Sequence, residues 1–377
     1  MNAAPDWNAV RRQFPAVGST VYLNTAGGAP IPRSVAAAGA RFYEEMRDAG
    51  DVMWPAWLER VEQVRHQVAD FLNADPRSIA FAPSSSAAMN VIAGYLRGAG
   101  ITSVVSMADS FPSIVVPLKH WGFDVSWVPS AADGTVDLET VASYIEPQSG
   151  ALVVSSVEYG TSFAHDLDGL NHLCREHKLS YIVDATQSLG AFPLDVRDLD
   201  VDFVVASTYK WLLGGYGLAV FYVGPRWLEQ SPPIAGWAST VDAPDALSDL
   251  ALKPSAAAIE VGCPNFPAIF ALGAALDFLG TLGASAVADR VCELREYLVA
   301  RVQERGFKIS SSVDPKRPSG IVHVAVDDPE RVTSALRERG VFVSAKGLGL
   351  RVSVYLYNSF EDIDRFADVL AEATDRR

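Results

Sequence analysis

The residues with the clearest chemical potential lie in one segment, residues 181–223. A candidate strand ends at Asp184, and the next candidate strand leads into Ser207, Tyr209 and Lys210. The two charged residues are separated by about one strand–connection–strand unit. Ligands of open α/β sheets bind at the carboxyl ends of the strands. Neighbouring strands could therefore direct Asp184 and Lys210 at the same ligand.

This pair of residues suits a pyridine aldehyde cofactor. A lysine amine forms an imine with such an aldehyde, and an aspartate pairs with the protonated ring nitrogen. Gln187 follows Asp184 by one helical turn, so its amide could reach the ring oxygen beside the imine. The alternative is a surface lysine and a helix-capping aspartate. The apolar residues on both sides of Lys210 favour the cofactor interpretation.

Two motifs in this segment carry a resemblance to a known family. Asp184-Ala-Thr-Gln187 and Ser207-Thr-Tyr209-Lys210, the latter before a Gly-rich turn, resemble the class V aminotransferase family. That family includes cysteine desulfurases, kynureninase and isopenicillin N epimerase. Similar segments follow in the expected order from about Tyr22 to Asp364. The resemblance implies pyridoxal 5'-phosphate as cofactor, held by Lys210 as a Schiff base, with Lys210 also the base that removes the α-proton.

The segment 81–90 predicts a phosphate site, because a strand ends and a helix begins there at hydroxyl residues. Free backbone N–H groups and the helix dipole suit a phosphate at such a point. The resemblance assigns Ser85 and Ser86 to the phosphate, together with Ser207 and Tyr209. Serines before a helix are otherwise more often caps.

A second cofactor contact is implied at residues 109–113, which resemble the Phe-Pro-Ser motif of kynureninase. Phe111 would stack on the cofactor ring, and offset stacking of aromatic rings is favourable. The alternative is a phenylalanine of the core. Ile114 stands where kynureninase has aspartate, which argues against kynureninase activity.

The substrate side is predicted from three further places. Residues 350–358 resemble the family strand whose arginine grips the substrate carboxylate, and Arg351 has the planar fork that binds a carboxylate bidentately. This implies a substrate with a free α-carboxylate. Asn24 lies in a segment that lines the substrate side in the family. Trp54 is a further candidate substrate contact, with a packing aromatic as the alternative.

Two residues are expected to act across a subunit boundary. Residues 260–265 resemble the family's Glu-x-Gly-Thr-Pro-Asn loop, with Cys263 in place of threonine. In relatives this loop reaches the cofactor phosphate of the neighbouring subunit, and the resemblance extends the same role to Trp237. It therefore implies a homodimer with shared active sites.

The pattern of strands and helices that position these residues indicates an α/β protein. Short apolar segments predict a mostly parallel seven-stranded sheet between helices. They are residues 79–82, 103–107, 123–128, 151–156, 181–184, 202–207 and 218–223. The resemblance implies the fold type I transferase arrangement, with a large cofactor-binding domain over residues 20–255. Residues 1–19 and 256–377 would form a small α+β domain.

Bulk composition limits the partners. The 377 residues carry a formal net charge of −14, which argues against binding to nucleic acid or to anionic membranes. The N-terminus lacks the basic and apolar regions of a signal peptide, and three cysteines make no disulfide framework. We expect a cytoplasmic enzyme for a small amino-acid substrate, with no metal site.

The reaction type stays open at this point. Desulfurases carry a mobile cysteine on a loop before the carboxylate arginine, and residues 343–349 contain none. Because persulfide chemistry needs a thiolate, a standard cysteine desulfurase is not expected. A β-eliminating or C–S lyase is slightly favoured, with an aminotransferase or an epimerase as the alternatives.

Overall fold

A computed structural model describes residues 4–241, 251–347 and 349–374 of the protein. The strands in these residues are numbered along the chain. They are β1 (Val21–Tyr22), β2 (Ile79–Ala82), β3 (Ser103–Met107), β4 (Asp124–Val128), β5 (Ser149–Ser155), β6 (Ser180–Asp184), β7 (Phe203–Ser207), β8 (Ala219–Val223), β9 (Ile321–Val324), β10 (Val341–Phe342), β11 (Ser344–Lys346) and β12 (Gly349–Ser353).

The helices that surround these strands are also numbered along the chain. They are α1 (Trp7–Arg11), α2 (Arg33–Ala49), α3 (Trp54–Leu72), α4 (Ser85–Gly98), α5 (Pro112–His120), α6 (Leu138–Ser143), α7 (Leu167–His177), α8 (Val196–Leu199), α9 (Pro225–Leu228), α10 (Phe266–Leu282), α11 (Ala284–Glu304), α12 (Pro329–Glu338) and α13 (Phe360–Thr374).

Strands β2 to β8 form one seven-stranded sheet in the spatial order β2-β8-β7-β6-β5-β3-β4. Strand β8 runs antiparallel to both of its neighbours, and the remaining pairs are parallel. The prediction of a mostly parallel seven-stranded sheet is thus confirmed. Each predicted strand is present, with ends that differ by at most two residues.

Both faces of this sheet are covered by helices, as the apolar strands predict. Successive strand residues point to opposite faces, so Val104 and Val105 of β3 lie in different core clusters. One cluster joins Val105 to side chains of α3 and α10, such as Val61 and Phe270. The other joins Val104 to side chains of α4.

A smaller α+β region follows the large sheet. Strands β11, β12 and β9 form an antiparallel sheet in that order, and β1 pairs in parallel with β10. Side chains of α11, α12 and α13 pack with these strands in a third apolar cluster, which also contains Val21 and Leu23. The N-terminal segment thus joins the C-terminal sheet.

The domain boundary between residues 255 and 256 stays a prediction. Helix α10 follows that boundary in sequence, yet its residues Phe266 and Leu272 lie in the core cluster of the large sheet. Helix α11 contributes Leu294 and Leu298 to the third cluster instead. The chain therefore passes between the two cores near the bend that separates α10 from α11.

In the described ranges, no single helix is long and apolar enough to cross a bilayer, and α10 and α11 reach that length only as a pair bent by 80°.

Candidate active site

A cleft opens at the carboxyl edge of the large sheet, where Asp184 ends β6 and Ser207 ends β7. The predicted site residues that line it come from four separate parts of the chain. They are Ser85, Phe111, Asp184, Gln187, Ser207, Tyr209 and Lys210. The structure therefore brings together most of the cofactor residues expected from the sequence.

Lys210 lies at the floor of this cleft and is only 5% exposed. Burial lowers the pKa of its amine to about 8; Arg351 adds to this effect and Asp184 opposes it. Its Nζ lies 5.7 Å from the ring centroid of Phe111 and 5.5 Å from that of Tyr209. A lysine with this pKa supplies the neutral amine that imine formation requires at a lower pH than an ordinary lysine does.

Asp184 is buried beside it. Burial raises the pKa of the Asp184 carboxyl, against the opposing effects of its hydrogen bonds from Thr186 and the charge of Lys210. Its Oδ1 accepts a hydrogen bond from the backbone N–H of Thr186 at 2.9 Å. A cationic pyridine nitrogen in the cleft would stabilise this carboxylate.

The side chain of Gln187 is held at both ends. Its Nε2 donates to the carbonyl oxygen of Ala26 at 3.1 Å, and its Oε1 accepts from Nε1 of Trp211 at 3.0 Å. Because a primary amide has two N–H donors, one remains for a ligand oxygen. Sequence reasoning did not single out Trp211, although it directly follows Lys210.

A cluster of buried hydroxyls lies where the sequence predicts the cofactor phosphate. Ser85 Oγ lies 2.7 Å from Ser207 Oγ and 3.2 Å from Thr186 Oγ1, which accepts the backbone N–H of Ser207 at 3.0 Å. Ser85 is the first residue of α4, so the helix N-terminus faces the same cluster. Thr186 was missed, although it lies between Asp184 and Gln187 in the motif that pointed here.

Ser86 and Phe111 lie at the rim. Ser86 is exposed, and its Oγ donates to Ser113 Oγ, itself a cleft residue, at 2.9 Å. The ring of Phe111 meets that of Tyr159 edge-on, with centroids 4.9 Å apart. Tyr159 is a further cleft residue that sequence reasoning did not identify.

Arg351 lies within β12 and is 3% exposed. Its Nε and Nη1 have no hydrogen-bond partner among the described residues. Burial lowers the pKa of the guanidinium, opposed by Tyr159 and Tyr209. A buried cation whose donors are free is costly unless an anion pairs with it, and a carboxylate matches the fork of the guanidinium.

Asn24 and Trp54 occupy different surroundings. Asn24 bridges to Ser353 of β12, and its Oδ1 accepts from Ser344 Oγ at 2.6 Å, so it lies beside the strand of Arg351. Trp54 begins α3, and its ring packs edge-on against Phe266 at 5.2 Å. It does not line the Lys210 cleft within one chain.

Trp237 and Cys263 also lie outside this cleft. The Trp237 side chain is 54% exposed, and Cys263 is an exposed free cysteine. Cys263 lines a separate groove together with Ile234 and Val261. Their contact with a neighbouring subunit's cofactor stays a prediction.

The residues of the cleft fit pyridoxal 5'-phosphate. A buried amine, a buried carboxylate and a hydroxyl cluster at a helix N-terminus meet the needs of an aldehyde, a ring nitrogen and a phosphate. The free donors of buried Arg351 add a place for a substrate carboxylate. No group of three or more metal-ligating side chains occurs in the described ranges.

Comparison with known proteins gives a consistent picture. The family model described as aminotransferase class-V matches residues 21–366. An uncharacterized aminotransferase of Bacillus subtilis, YcbU, is 26% identical, covering 97% of each chain. A probable cysteine desulfurase of Methanothermobacter thermautotrophicus is 27% identical, covering 96% of this chain and 97% of its own. The fold matches an apo cysteine desulfurase from Thermococcus onnurineus with a TM-score of 0.90, 21% identity and full coverage of both chains.

Proposed function

Since the chain belongs to the class V aminotransferase family and is a pyridoxal-phosphate-dependent enzyme of fold type I, we propose that it is a β-eliminating or C–S lyase. Its substrate would be an amino acid with a free α-carboxylate. The observation that carries this proposal is a cleft lined by Lys210 and two tyrosines and, within one chain, by no described cysteine. The free donors of Arg351 lie beside it, because Arg351 contacts the cleft residue Tyr159.

The chain's own residues divide the work. The bound cofactor supplies an electron sink for the pair left when a bond at the α-carbon breaks. Lys210, once its amine is released, removes the α-proton; a pKa near 8 suits a general base at mildly alkaline pH. Asp184 holds the positive charge of the ring nitrogen. Ser85 and Ser207 hold the phosphate.

Arg351 anchors the substrate in this scheme. Its Nε and Nη1 would donate to the α-carboxylate, which replaces the missing hydrogen bonds of a buried cation. This fixes the position of the α-carbon relative to Lys210. Asn24, bonded to Ser344 beside the same strand, would border the substrate.

Persulfide chemistry on the enzyme is not proposed. Strands β11 and β12 are separated by two residues of the chain, and residues 343–349 contain no cysteine. A Cβ added to Gly347 would collide with the carbonyl oxygen of Gly160, so this hairpin packs closely on the loop that follows β5. Burial raises the pKa of Cys174 and of Cys292, which lie on α7 and α11.

A leaving group on the β-carbon needs a proton as it departs. Tyr209 lines the cleft, and burial raises the pKa of its phenol, which therefore stays protonated at neutral pH. We propose this hydroxyl as the proton donor, in place of the phosphate contact that the resemblance implied for Tyr209. The sulfur-containing or other β-substituent would be released as the protonated leaving group and would form no bond to the protein.

Transamination is the second candidate, and epimerisation the third. The family description and the Bacillus subtilis relative, called an aminotransferase, favour transamination. Both alternatives use the same Lys210, Asp184 and Arg351. They differ only in where the proton returns.

We also propose a homodimer in which Cys263 and Trp237 of one subunit approach the cofactor phosphate held by the other. The support is the exposure of both side chains and the apolar groove beside Cys263. A cytoplasmic location remains an expectation from the sequence.

The reaction type is tested by a single turnover of the cofactor-loaded protein with a panel of amino acids that includes cysteine conjugates. The cofactor is identified by mass, and the Lys210→Ala variant is the control. A lyase leaves the cofactor as the aldehyde while a keto acid accumulates. Conversion of the cofactor to pyridoxamine phosphate without added keto acid would contradict the lyase proposal and identify the protein as an aminotransferase.

A further inference from the structure

Tyr159 contacts two groups to which the sequence gives different tasks. Its ring centroid lies 5.3 Å from the guanidinium carbon of Arg351 and 4.9 Å from the ring centroid of Phe111. Arg351 is the expected carboxylate anchor, and Phe111 is the expected stacking partner of the cofactor. Tyr159 thus lies between the substrate anchor and the cofactor face.

The contact with Arg351 leaves its hydrogen-bond donors free. An aromatic ring attracts a guanidinium through its quadrupole and accepts no strong directional hydrogen bond. The Nε and Nη1 atoms of Arg351 accordingly have no partner among the described residues. A carboxylate in the place of Tyr159 would occupy these donors and compete with the substrate.

The backbone around Tyr159 forms a loop that its own hydrogen bonds hold together. Glu158 N–H donates to the carbonyl oxygen of Phe163 at 2.8 Å, and Ser162 N–H donates to that of Glu158 at 2.9 Å. Ser162 has a φ of 63°, the left-handed conformation that tightens this loop. Tyr159 is therefore carried by a short loop of defined shape, directly after β5.

The same loop contacts the small sheet a second time. Ser162 Oγ lies 3.5 Å from Nε2 of His323, and His323 is the cross-strand partner of Arg351. Gly347, in the β11–β12 hairpin, packs against the carbonyl oxygen of Gly160. The loop thus fixes the strand of Arg351 as well as its guanidinium.

We propose that Tyr159 is a positioning residue that orients Arg351 toward the substrate carboxylate and sets its distance from the cofactor face. This rests on the proposed function, since it assumes that Arg351 binds an α-carboxylate. It assigns to the site a preference for amino acids over amines that depends on Tyr159 as well as on the charge of Arg351.

The test uses the cofactor-loaded enzyme and two probes that differ only in the carboxylate, L-alanine and ethylamine. Binding is followed by the absorbance of the bound cofactor. We expect Tyr159→Leu to weaken L-alanine about tenfold and to leave ethylamine unchanged. Tyr159→Phe retains the ring and should retain the wild-type preference.

Controls separate positioning from general damage. Tyr43 is 62% exposed on α2, so Tyr43→Leu should alter neither probe. In an Arg351→Gln background, Tyr159→Leu should have no further effect on L-alanine, because the group it orients is gone. If Tyr159→Leu does not fold, as judged by its melting temperature, Tyr159→Met takes its place.

The outcomes are distinct. Equal weakening of both probes, or unchanged binding of L-alanine, overturns the role of Tyr159 and leaves the proposed function standing. A wild-type enzyme that responds to neither probe overturns the proposed function and this inference together.

Discussion

The indole Nε1 of Trp211 donates a hydrogen bond to Oε1 of Gln187 at 3.0 Å. Trp211 is fully buried and directly follows Lys210, while Gln187 belongs to the motif that begins at Asp184. The hydroxyl of Tyr355 approaches the carbonyl oxygen of Trp211 at 2.6 Å. The segments that carry the lysine and the aspartate are thereby joined to each other and to the chain that leaves β12.

Replacing Trp211 by phenylalanine should weaken both the fold and the cofactor site. The buried Oε1 of Gln187 would lose its donor, which costs about 1–3 kcal/mol in the free energy of unfolding. The Gln187 amide would then be held only by its bond to Ala26, so we expect weaker cofactor binding. Denaturant unfolding and a cofactor titration measure the two effects.

Trp121 provides a matched control. Its Nε1 donates to Oδ1 of Asn90, also at 3.0 Å, but this bond is exposed. Trp121→Phe should therefore change the unfolding free energy much less. Equal losses in the two variants would contradict a special role for the buried bond.

Capture of the cofactor by the apoprotein should depend on pH through Lys210. Its pKa is lowered to about 8, so the neutral amine forms as the pH rises through 8 and not through the usual value of 10.5. The rate of absorbance change on mixing with pyridoxal 5'-phosphate should follow that titration. Asp184→Asn should move the midpoint lower, because the charge of Asp184 raises the Lys210 pKa.

Borohydride reduction and peptide mass analysis identify the lysine that reacted. The Lys210→Ala variant should not show the cofactor capture whose rate rises with a midpoint near pH 8. A rate that keeps rising up to pH 10 would show that the reacting amine is not the buried one.

His323 should make the protein sensitive to acid. It is fully buried opposite Arg351, and burial with the charge of Arg351 lowers its pKa from 6.5 to about 4. Because the folded state binds this proton less readily than the unfolded state, stability present above pH 6.5 is lost as the pH falls toward 4. The loss amounts to about 3 kcal/mol.

Unfolding free energies measured between pH 7 and pH 4 check this expectation. The His323→Gln variant should show a shallower decline than wild type, whereas His66→Gln, at an exposed position on α3, should decline as wild type does. Parallel curves for wild type and His323→Gln would refute the assignment.

Shared active sites can be tested by mixing two inactive variants. Lys210→Ala lacks the imine lysine, and Trp237→Ala lacks the residue expected to cross between subunits. In a hybrid dimer, one site would combine the intact Lys210 with the intact Trp237. We expect activity to return after the mixture is unfolded and refolded together, as an assay of the mixture and of each variant alone would show.

A mixture no more active than its better component would place Trp237 outside the partner's site. Refolding each variant alone is the control for recovery. The oligomeric state of the mixture, measured by light scattering, verifies that dimers are present.

The helices and strands, and the chemistry of residues that lie close along the chain, could be predicted from the sequence. Apolar runs such as residues 203–207 are typical of strands in a sheet that helices cover on both faces, so the seven strands could be predicted from the sequence. Asp184, Gln187 and Lys210 follow strand ends, and strand ends of a parallel sheet share one edge. Their spacing alone therefore predicted that they meet at one cleft.

Contacts between residues far apart in the sequence could not be predicted from any local pattern. Strand β8 is antiparallel to both of its neighbours. Tyr159 contacts Arg351 although the two residues are 192 positions apart in the sequence. Trp54 was predicted to contact the substrate, but its ring packs on Phe266. Such contacts depend on how the sheets and their helices pack in space, and packing is a property of the whole chain and not of residues a few positions apart.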